Sequence, residues 1–312
     1  MKLAITKKHV SLFKKFSVAS VMALAVVGCA VDEQYVISGD SSYRKNTDAA
    51  PEVIPNNMAE LMCSDEDTTE EIASNSEVLL DNSTAQLDNT LGGTTGFGSK
   101  HLPNRADDPT DSVGIDLTSI WGSQGINLGG DNFTKMYVNL NGVITFGTAH
   151  RSWTPTGIRN GIGMPAIAIY WRDLDTRTTS VNTSTGGTST GTNEIYSYAD
   201  NNSVIITWDD VANYPNGNTS VLAGQIKLAR LDGGNTMIEL RYEHAHHKID
   251  NATVAGWNVG RTGQDLVSGQ DFYEIPANTN PVGESNIGKP GIWRFLIGES
   301  GEISNECEES AL

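Results

Sequence analysis

From about residue 91 to residue 298 the chain is a succession of short apolar runs, each closed by Gly, Asn or Asp, and none keeps a helical period. A chain patterned this way is confined to sheets joined by turns. In KMYVNLNGVITFG (135–147), Met136, Val138 and Leu140 share one face of an extended segment, with Tyr137 and Asn139 on the other. The alternation resumes at Val143 after Asn141-Gly142, a pair that tolerates positive φ at both central turn positions and predicts a two-residue hairpin. "NEIYSYA" and "SVIITW" flank Asp200-Asn201-Asn202, a second hairpin. "AGQIKLARL" and "TMIELRYEH" flank Asp232-Gly233-Gly234-Asn235, a third. In that pair the alternation assigns Ile226, Leu228, Ile238, Leu240 and Tyr242 to the core, and Lys227, Glu239 and Arg241 to water. "MPAIAIYW" (164–171) is continuously apolar, the pattern of a strand covered on both faces. "TVAGWNVG" and "GIWRFLIG" complete the set, and the Ser/Thr/Gly run Thr178–Thr192 reads as an exposed, flexible loop. The expected fold is all-β: an antiparallel β-sandwich or distorted barrel built from hairpins.

Residues 1–28 are not part of that fold. Lys2, Lys7, Lys8, Lys14 and Lys15 precede an apolar stretch, Phe16 to Val27, too short to span a bilayer comfortably. It ends in Gly28-Cys29, which resembles the lipobox of bacterial lipoproteins. The resemblance implies cleavage before Cys29, lipidation of its sulfur and a membrane anchor of two or more acyl chains; the alternative is an ordinary secretory peptide. Ala30, where an Asp would signal retention, points by the same analogy to the outer membrane of a Gram-negative cell, with the domain on the cell surface. If lipid takes Cys29, Cys63 and Cys307 remain, as a disulfide or as two free thiols. A bridge between them would stabilise by roughly 4–5 kcal/mol in chain-entropy terms.

The formal net charge is −17, and loss of the five leader lysines takes the remainder to −22. Nucleic acid and anionic membrane surfaces are therefore poor partners. Residues 29–90 hold fourteen acids against Arg44 and Lys45, and 299–312 holds five acids and no base. Both read as solvated segments: a partly disordered acidic spacer, with short helices in "MAELMC" and "EEIASNSEVLLDN", and an acidic tail. Asp65-Glu66-Asp67 reads as spacer surface or a weak calcium ligand set.

Taken in order, the β segments resemble the NIDO domain, the extracellular module of nidogen, alpha-tectorin and some mucins. The matching stations are "LPNRADDPTDSVGIDL" (102–117), "YVNLNGVITFG" (137–147), "PAIAIYWRDLDTR" (165–177), "SVIITWDDVANY" (203–214), "QIKLARLDGGNTMIELRYE" (225–243) and "TVAGWNVG" (253–260). The resemblance covers roughly 91–260 and implies cell–matrix adhesion without catalysis, the ligand being an extracellular matrix or surface glycoprotein or glycan. A carbohydrate-active enzyme or glycan-binding sandwich, and a structural envelope or biofilm component, are the alternatives.

Candidate sites follow from residue chemistry. Asp173 and Asp175, at i and i+2 after an apolar strand, suit Ca²⁺, or an Asp–Arg network with Arg172 and Arg177. Asp209 and Asp210 after Trp208 offer the same choice, and Ca²⁺ is the cofactor these carboxylates would take. Trp121, Trp153, Tyr214 and Trp257 lie in or beside glycine-rich loops, as sugar-stacking platforms or as core. His244, His246 and His247 form the single histidine cluster, read as Zn²⁺ or Ni²⁺ ligands, a pH sensor or strand-end polar residues. No H-E-x-x-H helix or phosphate-cradling loop is present, and no residue is assigned to catalysis.

Overall fold

The computed structural model describes residues 85–298, apart from 109–112, 160–161, 184–185 and 251. Cys29, Cys63 and Cys307, with the leader, most of the spacer and the tail, lie outside the described residues. The strands begin with β1 (Ser99–Lys100), β2 (Val113–Asp116), β3 (Ile126–Leu128), β4 (Asp131–Phe133) and β5 (Lys135–Asn139). Next come β6 (Val143–Phe146), β7 (Pro165–Trp171), β8 (Leu174–Asp175), β9 (Glu194–Ala199) and β10 (Ser203–Asn213). The last are β11 (Ser220–Arg230), β12 (Thr236–Ala245), β13 (Val254–Val259), β14 (Phe272–Glu274) and β15 (Ile292–Ile297). A single α-helical turn, α1 (Thr118–Trp121), interrupts them among the described residues.

Two antiparallel sheets pack face to face. The larger has the order β1-β9-β10-β11-β12-β15, with β8 also pairing with β10; the smaller runs β14-β13-β7-β6-β5-β2, and β3-β4 forms a ribbon. This is the sandwich that the hairpin spacing predicts, and β5–β6, β9–β10 and β11–β12 are the three expected hairpins. Between the sheets, Met136, Val138, Ile144 and Phe146 meet Val204, Ile206, Trp208, Ile226, Leu228, Ile238 and Leu240. Each such side chain, fully buried, contributes roughly 1.5–3 kcal/mol. β7 is buried along its length, as its unbroken apolar run predicts: Ile167 and Ile169 enter this core, while Ala166, Ala168 and Trp171 join a second cluster with Ile158, Val254 and Phe272.

Three expectations need correction. The third hairpin's polar side chains do not face water: Lys227 is 1 % exposed, Glu239 0 % and Arg241 2 %. Alternation marks two different faces, and here the polar face is buried too, its charges paired across strands by Arg294 Nη2 donating to Glu239 Oε2 (2.6 Å) and along β12 by Arg241 Nη2 donating to Glu239 Oε1 (3.3 Å). Residues 85–90, read as the end of the spacer, lie against this face. Leu87 packs with Phe97, Tyr196 and Ala223, and Asp88 N and O bond the Gln225 carboxamide (2.8 and 2.9 Å).

The Ser/Thr/Gly run is laid down by three carboxylates rather than left free. Glu243 accepts from Thr188 N (2.7 Å) and Ser189 N (2.9 Å), and Asp209 from Thr190 N (2.7 Å) and the Thr192 hydroxyl (2.5 Å). Asp210 accepts from Gly191 N (2.9 Å). The third correction, at the Asn141-Gly142 turn, belongs to the site.

Candidate functional site

Asn139 and Val143 pair directly, so the β5–β6 connection has three residues, Leu140 to Gly142, and of these only Gly142 takes positive φ (78°). The reason is that the turn docks against the end of β7 instead of standing in solvent. Gly142 O accepts from Ile169 N (3.0 Å), and a Cβ on Gly142 would lie 2.3 Å from Tyr170 O. Asn141 is fully buried and its carboxamide is used twice: Oδ1 accepts from Leu174 N (2.7 Å) and Nδ2 donates to Asp108 Oδ1 (2.9 Å). Its amide is in turn held by Asn139 Oδ1 (2.8 Å). An Asn-Gly pair that reads as a hairpin tip is a buried bracket joining three chain segments.

Around this bracket the sandwich end gathers its loops. Arg172 Nε donates to Asn213 Oδ1 (2.9 Å) and its Nη1 to the Thr253 hydroxyl (2.8 Å). Tyr214 N donates to Asp173 O (3.2 Å), and Asn216 N to Asp175 Oδ2 (2.7 Å). Asp175 is fully buried and is gripped by Arg177, whose Nε and Nη2 reach both carboxylate oxygens. Burial alone would raise the pKa of Asp175. The guanidinium and the amides of Arg177 and Asn216 outweigh it and hold the carboxyl below its usual range. The Asp–Arg reading of Asp175 is therefore the structural one, and Asp175 has no free edge for Ca²⁺.

Asp173 has the opposite surroundings. Its carboxylate takes no hydrogen bond from any described residue, and ligand oxygens of Asp107, Asp108 and Asp173 all lie within 4.8 Å of one another. Partial burial, then the charges of Asp108, Asp107 and Asp175, push Asp173 up to about 6. Asp107 is also raised, by desolvation first, although Arg177 Nη2 pairs with its Oδ2 at 3.0 Å. Oxygen-only ligands at this spacing suit a hard divalent cation such as Ca²⁺ or Mg²⁺. Among the described residues this is the one group of three that could hold a metal.

The four predicted calcium ligands are thus not brought together. Asp173 finds Asp107 and Asp108, Asp175 is consumed by Arg177, and Asp209 and Asp210 are fully buried under the 188–193 loop. Asp210 sits at φ 53° where β10 bulges against β11, and burial raises its carboxyl. Asp107 and Asp108 were not singled out by spacing. The acidic run "ADDPTD" was visible, but nothing in it points sixty-odd residues ahead to Asp173.

The aromatic candidates also divide. Trp257 is 1 % exposed and packs on Phe295, a core residue rather than a platform. Trp121 is half-buried against the main core and its carbonyl accepts from Arg230. Trp153 and Tyr214 are 49 % and 43 % exposed, and with Val267 they are the exposed large hydrophobics among the described residues. Tyr214 lies under the Arg177 guanidinium, 5.6 Å from its ring centroid. Trp153 follows Ser152, whose carbonyl accepts from Trp171 Nε1 (3.2 Å), and His150 O accepts from Asn139 Nδ2 (2.6 Å). Both exposed rings therefore belong to segments tied to the Asn141 end of the sandwich.

The histidines do not assemble a three-ligand group. His246 and His247 stack edge to face with centroids 4.4 Å apart, and His244 Nε2 contacts Ser220 O (3.2 Å). His247 is lowered by desolvation, then by Arg172 and His246, so it titrates below the ordinary imidazole range.

Residues 124–291 match the family described as NIDO related, just over half of the chain and reaching beyond the "TVAGWNVG" station where the sequence resemblance ended. No curated protein and no solved structure matches the chain.

Proposed function

We propose, from the premise that this chain belongs to the NIDO-related family, that it is a lipid-anchored adhesion protein of the cell surface. A domain of this family fits an extracellular adhesion-like module. On our reading Cys29 carries the anchor in the outer membrane, and the Asn141 end of the sandwich contacts a matrix or surface glycoprotein or glycan. No catalytic role is assigned.

The observation that supports this reading is the coincidence, at one end of the fold, of exposed Trp153 and Tyr214 segments with the Asp107, Asp108 and Asp173 carboxylates. Exposed rings supply stacking area at small entropic cost, and carboxylates accept from sugar hydroxyls directly or through a cation. The test is a binding screen of residues 29–312 carrying Cys29→Ser over immobilised matrix glycoproteins and glycans, in calcium and again in EDTA. Saturable binding that falls at least tenfold in Trp153→Ala or Tyr214→Ala supports the reading. A blank in both buffers, with anchored cells adhering as well as deletants, overturns it.

A further inference from the structure

We propose that His244 and His246 form a two-imidazole site for a borderline divalent metal ion of the Zn²⁺, Cu²⁺ and Ni²⁺ class. This is independent of the adhesion reading and of the carboxylates at the Asn141 end. It starts from "EHAHHK" (243–248), where β12 ends at Ala245 and the chain bends. Positions i and i+2 of an extended backbone project to the same side, which makes neighbours of His244 and His246.

The first ring is already oriented. His244 Nε2 lies 3.2 Å from Ser220 O, and a carbonyl only accepts, so Nε2 carries the proton and Nδ1 keeps the lone pair. Metal-ligating histidines are held in this way, one N–H given to a carbonyl and the other nitrogen offered to the ion. The second ring is adjustable. His246 is exposed, and its imidazole has no hydrogen-bond partner among the described residues. Its backbone is nevertheless fixed: His246 N donates to Val221 O (3.0 Å). The next residue is pinned through the buried Tyr170 hydroxyl, which accepts from His247 N and donates to His247 O (3.2 Å each).

Spacing then decides what the pair can share. Zn–N bonds of roughly 2.0–2.1 Å at tetrahedral angles put the centroids of two ligating imidazoles about 5 Å apart. Those of His244 and His246 stand 6.4 Å apart with planes inclined at 56°. A shift of the exposed ring by about 1 Å closes the pair without backbone movement. His247 is the other neighbour of His246, edge to face at 4.4 Å. The positive charge of Arg172 acts on His247 and disfavours a cation there, which leaves His247 to steer the His246 ring. Two imidazoles completed by water suit Zn²⁺, Cu²⁺ or Ni²⁺ and are poor ligands for Ca²⁺. The domain thus separates ions by ligand hardness, with nitrogen here and oxygen at Asp107, Asp108 and Asp173.

The test uses residues 29–312 carrying Cys29→Ser, alkylated so that no thiol takes the metal. Zn²⁺ titrated by calorimetry in millimolar Ca²⁺ should bind saturably. Binding should weaken at least tenfold in His244→Ala and in His246→Ala, with emission from core Trp208 and Trp257 kept. It should change less than twofold in His247→Ala and in Asp108→Asn/Asp173→Asn. No saturable binding, binding that survives both single changes, or a tenfold loss in His247→Ala overturns the proposal. Long-range ¹H–¹⁵N spectra of the unsubstituted domain read the ring directly. Metal-free His244 should be the Nε2–H tautomer, and its Nδ1 resonance should shift when Zn²⁺ is added. The Nδ1–H tautomer, or a shift confined to His247, overturns the proposal as well.

Discussion

Two groups of carboxylates in this domain share a residue type and little else. Glu239, Glu243 and Asp209 are fully engaged, by arginines in the first case and by backbone amides and threonine hydroxyls in the others; Glu239 and Asp209 are also fully buried, and Glu243 is half-buried. Asp107, Asp108 and Asp173 stand closer to water and face one another, with Arg177 and Asn141 supplying two donors to three acids. The first group closes the structure; the second keeps unspent negative charge at the end that carries the exposed rings. The donors around a carboxylate, more than its depth, decide whether it is structural or available.

The contrast is broken most directly at Glu239. Glu239→Ala leaves Arg294 and Lys227 buried without their carboxylate and should cost ~3–5 kcal/mol in urea unfolding at pH 7. A loss under about 1 kcal/mol would place the charge balance elsewhere. Glu243→Ala strands the amides of Leu87, Thr188 and Ser189, and should cost ~2–3 kcal/mol with faster exchange across 188–193.

Changes in the other group should act oppositely. Asp173 has a folded pKa of about 6 against an ordinary 3.8, so the folded state holds the extra proton between those values. Stability from this group therefore falls as pH rises from about 4 to about 6 and stays low above. Asp173→Asn should remove that part of the pH dependence and leave the protein as stable or slightly more so at pH 7. Millimolar Ca²⁺ at pH 7 should raise Tm by a few degrees in the wild type and by nothing in Asp108→Asn/Asp173→Asn. An equal rise in both would locate the ion elsewhere. The smallest effects on stability belong to the rings: Trp153→Ala and Tyr214→Ala should stay within about 0.5 kcal/mol of the wild type. If either unfolds the domain, its exposure does not describe its role.

Much of the architecture was legible because local patterns report local structure. Three hairpins and the sandwich follow from period-two alternation and turn residues within a few positions of one another, and the doubly covered β7 from its unbroken apolar run. The same signals misread the Asn141-Gly142 connection by one residue. Docking of Gly142 against Tyr170, a partner on another strand, selects the turn, and the dipeptide's own preference does not. They also placed Lys227, Glu239 and Arg241 in water, because alternation distinguishes one face from the other without saying what covers either.

The candidate site was less legible. Asp173 and Tyr214 were in view, but their partners, Asp107, Asp108 and Arg177, are set by how the loops converge. By itself the sequence determined the strand periods, the turns, the acidity of both flanks and membership of the NIDO-related family. Only the tertiary structure decided which carboxylates receive donors, because a hydrogen bond between residues far apart in the chain exists only once two strands have found their register. That division separates Asp209 and Glu243, spent on the fold, from Asp173, left with its charge to offer.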